Sequence, residues 1–129
     1  MRAGLRIPLA PTTRLRATLG QEVCQALGTV PVAGGDPRGV MVVVHIEQTE
    51  GRGTLLTGLR YPDDPEPIWA DAPLRLETGA FAVPIIPEAD GQDRLIGVLL
   101  RLQPLGVGRT CSAWVQAYLQ LPPVTEWAV

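Results

Sequence analysis

Apolar and polar residues alternate with a period of two along most of this chain, and glycine- and proline-rich breaks separate the alternating runs. Val40, Val42, Val44 and Ile46 fall on one face of such a run, with Met41, Val43, His45 and Glu47 on the other. β-Branched residues at this spacing predict a strand over residues 40–47. Glu50-Gly51-Arg52-Gly53 follows as a turn whose glycines accept a positive φ, so residues 54–61 are expected to return as the second strand of a hairpin. Residues 74–77 and 80–86 predict short strands around Thr78-Gly79, and Asp90-Gly91 marks the next turn. Residues 94–103 form a further strand whose Ile96, Val98, Leu100 and Leu102 face the core. In residues 110–121, Cys111, Ala113, Val115, Ala117, Leu119 and Leu121 alternate with Ser112, Trp114, Gln116, Tyr118 and Gln120. The first set suits an inner face, the second an outer one. Residues 21–27 fit one helical turn or a strand, with the strand preferred.

Residues 62–73 carry Pro62, Pro65, Pro67 and Pro73, each without a backbone donor, and are expected to be loop, with Trp69 packing the loop onto the strands. Many short strands between Gly/Pro turns imply an all-β chain: a single antiparallel β-sandwich, immunoglobulin-like or jelly-roll-like, over residues 21–121. Residues 1–20 set Arg2, Arg6, Arg14 and Arg16 among Pro8 and Pro11 and read as an extended N-terminal arm or an edge strand. Residues 122–129 open on Pro122-Pro123 and read as an extended C-terminal tail whose Trp127 docks on this chain or a neighbour. Removing residues 1–16 or 122–129 is expected to leave the sandwich folded.

At 129 residues, 46% hydrophobic and 19% charged, the chain suits one globular domain with a full core. A net charge of −2 gives no field for wrapping phosphates, so nucleic acid is not an expected partner. Every cationic side chain but His45 is arginine, as in a GC-rich genome. The longest apolar runs fall short of the roughly 20 residues a membrane helix needs. Residues 1–10 lack the apolar stretch of a secretory signal, so synthesis in a cytoplasm is expected. Cys24 and Cys111 make no disulfide framework; they pair only if adjacent strands carry them, and the parity of Cys111 favours the core.

Groups for catalysis are few. His45 is the single histidine and Ser112 the single serine, and Ser112 lacks a nucleophile-elbow setting. A Cys111–His45 thiolate pair competes with core packing of Cys111. Asp63, Asp64, Glu66 and Asp71 are hard oxygen donors, but prolines interrupt them and the spacing of a calcium loop is missing. Gly34-Gly35 and Gly106-Val107-Gly108 open no helix that would cradle a phosphate. The expectation is a chain that is not an enzyme and takes no cofactor and no metal. Trp114 and Tyr118 share one strand face, either as partner-binding aromatics or as a second core layer covered by the N-terminal segment or the long loop.

Several of these pieces recur together. Gly39-Val40-Met41-Val42-Val43-Val44, Gly51-Arg52-Gly53-Thr54-Leu55, Tyr61-Pro62-Asp63-Asp64, Trp69-Ala70-Asp71, Arg94 or Arg101, and Gly108-Arg109-Thr110-Cys111-Ser112 follow one another in order. Over roughly residues 35–121 this resembles the small β-sandwich virion structural proteins of tailed bacteriophages, of the head-decoration kind. Pro62 departs from the serine frequent in that pattern, and both termini lie outside it. The resemblance implies a virion component that bridges neighbouring capsid subunits, with the major capsid protein or another virion protein as partner. It also implies homo-oligomers on the particle, with a tail or head–tail component as a variant. Arg2, Arg6, Arg14, Arg16, Trp114, Tyr118 and Trp127 are then the candidate partner-binding residues. A carbohydrate- or receptor-binding module using Trp114, Tyr118 or the Trp69 loop is the competing reading.

Overall fold

Strict alternation leaves each strand with one apolar and one mixed face, and two such sheets bury their apolar faces only by stacking. The computed structural model describes residues 6–18, 21–35, 39–87, 90–106 and 109–120. Its strands are β1 (Arg6–Ala17), β2 (Val23–Val32), β3 (Val40–Glu50), β4 (Gly53–Arg60), β5 (Ile68–Trp69), β6 (Leu74–Arg75), β7 (Gly79–Ile85), β8 (Arg94–Pro104) and β9 (Cys111–Gln120). One sheet has the order β1-β9-β3-β7, the other β2-β8-β4-β5, with β6 also on β4, and every pairing is antiparallel. From β1 to β4, and again from β7 to β9, each strand passes to the sheet opposite its predecessor. That order is the two-Greek-key arrangement of a jelly roll, which decides between the two sandwich types the sequence leaves open.

The core is the apolar parity of the sequence. Val42, Val44, Val98, Leu100 and Leu102 are fully buried, as are Leu55 and Val30 from β4 and β2. Cys111, Ala113, Val115, Ala117 and Leu119 are buried together on β9. The small residues among them let the sheets approach where the valines and leucines opposite are bulky.

Four expectations change. Residues 54–61 do not return beside residues 40–47 as a hairpin: β3 pairs with β7 and β9 while β4 pairs with β8, β5 and β6, so the turn at Gly51-Arg52 carries the chain from one sheet to the other. The described part of residues 1–20 is an edge strand: β1 pairs along β9 from Arg6↔Gln120 to Ala17↔Cys111 and sends Leu15 and Ala17 into the core. It belongs to the sandwich, so its removal is expected to cost stability. β2 runs beyond residue 27 to Val32, because Pro31 is tolerated on an edge strand while Val30 and Val32 keep the inward parity. The stretch 62–73 contains the short strand β5, since Ile68 and Trp69 lie between prolines and keep their backbone donors; Gly58↔Trp69 and Leu59↔Ile68 pair there. Trp69 holds the loop down as expected. Its ring fills the space a Cβ at Gly58 would need, 2.7 Å away, and the Arg101 guanidinium lies 4.5 Å from the ring centroid. Arg2, Trp127 and the tail 122–129 lie outside the described residues.

The cysteines do not pair. Cys24 is exposed on β2 and Cys111 is buried on β9, in different sheets. Burial pushes the Cys111 thiol above its ordinary value. A thiol-reactive dye at neutral pH is expected to modify Cys24 at the rate of a free cysteine and Cys111 only after denaturant is added; two fast thiols would refute this placement. A raised thiol pKa contributes stability below the ordinary thiol range, which is lost as pH climbs through the folded value.

Candidate functional site

With the apolar parity inside, the second set of β9 side chains faces outward down the middle of the four-stranded sheet. Trp114, Gln116, Tyr118 and Gln120 form this row. β1 flanks it on one side, with Arg14 opposite Trp114 and Arg16 opposite Ser112. β3 flanks it on the other, with Gln48 opposite Trp114, His45 opposite Gln116 and Val43 opposite Tyr118. Five of the seven candidate partner-binding residues, Arg6, Arg14, Arg16, Trp114 and Tyr118, are thereby brought onto one face; Arg2 and Trp127 lie outside the described residues. Among the described residues nothing overlies this face. Trp114 is 39% exposed, so the N-terminal segment widens the face as an edge strand and does not cover it as a second core layer.

Side-chain bonds order the face. The Arg6 Nε donates to Gln120 Oε1 at 3.2 Å, and its guanidinium stacks 4.8 Å from the Tyr118 ring centroid. Thr12 Oγ1 donates to Gln116 Oε1 at 3.3 Å, and Gln116 Nε2 lies 3.4 Å from His45 Nδ1. Glu47 Oε1 sits 3.9 Å from the same ring nitrogen. Side chains already held by neighbours lose less rotamer entropy when a partner docks. The face carries charges of both signs, with Arg6, Arg14 and Arg16 along β1 and Glu47 and Glu50 along β3 on the other side of β9.

The groups with potential chemistry are kept apart. His45 lies on the outer face and Cys111 in the core, so they cannot form a thiolate pair. Ser112 is buried, and its strand position lies four residues from Gln116, the residue opposite His45, or about 13 Å along β9. In the acidic loop, Asp64 Oδ1 accepts the Glu66 N–H at 3.0 Å and Asp63 faces Arg94 at 3.6 Å. A groove of about 870 Å³ lies beside that loop, lined by Arg60, Tyr61, Asp93, Arg94 and Leu95 among others. Its polar groups are engaged locally: Asp93 accepts the Gly34 N–H, Arg60 donates to the Pro65 carbonyl, and Arg94 pairs with Asp90. The Gln92 N–H and then Arg94 hold the Asp90 carboxyl below its ordinary value.

No protein-family model matches the chain, and no curated protein does. Among solved structures, the chain is similar in fold to one described as "Structure of infectious bursal disease virus Gx strain". The match has a TM-score of 0.53 at 14% identity and covers 91% of this chain. This chain spans about a third, 32%, of the length of that one. The likeness is one of fold: the two-sheet β-architecture occurs within a viral structure, and it does not extend to the narrower bacteriophage decoration pattern.

Proposed function

We propose that this protein is a non-enzymatic virion structural protein that attaches to a viral shell through the outer face of its four-stranded sheet and stabilises the shell by bridging subunits. The observation that carries the reading is that face: exposed Trp114 with Tyr118, Arg6, Arg14 and Arg16 on a rigid sheet. Tryptophan, tyrosine and arginine dominate the energetics of protein–protein interfaces. The jelly-roll order supports it, since that architecture serves viral capsids, and lectins and cupins as well. The fold likeness to a chain in a virus structure points the same way. A capsid-decorating role, with a major capsid protein as partner, is the specific form proposed, with the β1 arginines as charge-assisted contacts to carboxylates of that partner.

The test is composition. Particles purified on a density gradient from the source that encodes the chain are expected to contain it in many copies, released as salt rises because the contact is partly electrostatic. Its absence from the particles, or Trp114-dependent binding to a glycan array in place of particle binding, would overturn the reading.

A further inference from the structure

An edge strand presents unpaired N–H and C=O groups, and soluble proteins blunt such edges with prolines, charges, bulges, short strands or covering loops. Three of the four edges described here are blunted. β1 carries Pro8, Pro11, three arginines and two register shifts. β2 has Leu9 of β1 lying against Gly28 and Pro31 near its end. β5 and β6 are two residues each. The fourth edge, β7, is different: Gly79-Ala80-Phe81-Ala82-Val83-Pro84-Ile85 has no charged residue, and its pairing with β3 is regular throughout.

Pro84, opposite Met41, has no N–H to give β3. An uninterrupted ladder therefore places it at a position whose backbone groups point away from β3. By alternation Ala80 and Ala82 point the same way, so this edge, unpaired among the described residues, offers both N–H and C=O groups of each alanine. We infer that this edge is the dimerisation site of a second copy of the chain, β7 pairing antiparallel with β7 of the partner about a two-fold axis through Phe81. This register is self-complementary. Ala80 meets Ala82 of the other copy and the reverse, which satisfies all four N–H and C=O groups of each copy's alanines in four bonds. Phe81 meets its own counterpart at the closely spaced, non-hydrogen-bonded position. Phe81 is half-buried at the rim of the core, so a second ring would cover the part left open. A strand with no charge meets itself without like-charge repulsion, and a two-fold contact closes on itself, so the assembly stops at two. The result is an eight-stranded sheet continuous across both copies. This inference does not depend on the viral reading.

Sedimentation of the full chain at about 100 µM is expected to give twice the 13.8 kDa chain mass. Two variants should return it to one chain mass with an unchanged far-UV spectrum. Ala82→Pro removes one outward donor on a strand that already holds a proline. Ala82→Lys sets each lysine opposite Ala80 of the other copy, with the two like charges as diagonal neighbours across the seam. In a Cys24→Ser background, Phe81→Cys should form an intermolecular disulfide on mild oxidation, while Ala82→Cys should not. A monomeric wild-type chain, a dimer that survives both Ala82 variants, or cross-linking through residue 82 in place of 81 would each overturn the proposal.

Discussion

Deleting residues 1–17 is expected to leave the chain insoluble or molten, with the cooperative thermal transition lost. β1 supplies Leu15 and Ala17 to the core, each 2% exposed, and Leu9 and Ala10 pack on its margin. Burial of these side chains contributes on the order of 4–5 kcal/mol, a large share of the roughly 5–15 kcal/mol typical of whole domains. The deletion also strips the ladder partner from β9 along its length, turning an apolar central strand into a bare edge open to aggregation. Circular dichroism melting and sedimentation would read this directly. A truncated chain that melts cooperatively within a few degrees of the intact one would contradict the placement of β1.

Leu100→Ala is expected to cost about 3 kcal/mol, while Leu95→Ala on the same strand changes stability by less than about 1 kcal/mol. Leu100 is fully buried in β8, between Gln25 of β2 and Thr57 of β4, where backbone pairing on both sides limits collapse around a cavity. Leu95 points to the opposite face and is 60% exposed. Denaturant titrations of the pair test the parity of β8 against itself. A larger loss at Leu95 than at Leu100 would mean that the strand is placed one residue out of register.

The contrast between those two leucines shows what the chain discloses before it is folded. Ile96, Val98, Leu100 and Leu102 declare their face by alternation alone, as do Cys111 through Leu119 opposite Trp114 and Tyr118. β1 is harder to read, because Pro8 and Pro11 interrupt it and two register shifts break its parity, leaving only Leu15 and Ala17 as an inward signal. β5 is two residues between prolines, too short to carry any period. Strand order is a long-range property: alternation says which residues face inward and nothing about which strand lies beside which. The jelly-roll order was therefore not legible, and neither was the juxtaposition of Arg6, Arg14 and Arg16 with Trp114 and Tyr118. The aromatic half of the face was visible within one strand. Its basic half needed the partner strand, 100 residues away in Arg14↔Trp114. The β7 edge was hidden for the same reason, since a neutral strand looks alike at the edge of a sheet and in its middle.

The proposed attachment is tested most directly by adding purified chain to particles stripped of it and measuring the amount bound at saturation and half-saturation. The wild-type chain is expected to bind a fixed number of sites. A folded Trp114→Ala, Tyr118→Ala double variant should bind at least about tenfold more weakly, the loss of one or more dominant interface side chains. Equal binding of the two proteins, or failure of the wild-type chain to bind at all, would contradict the account.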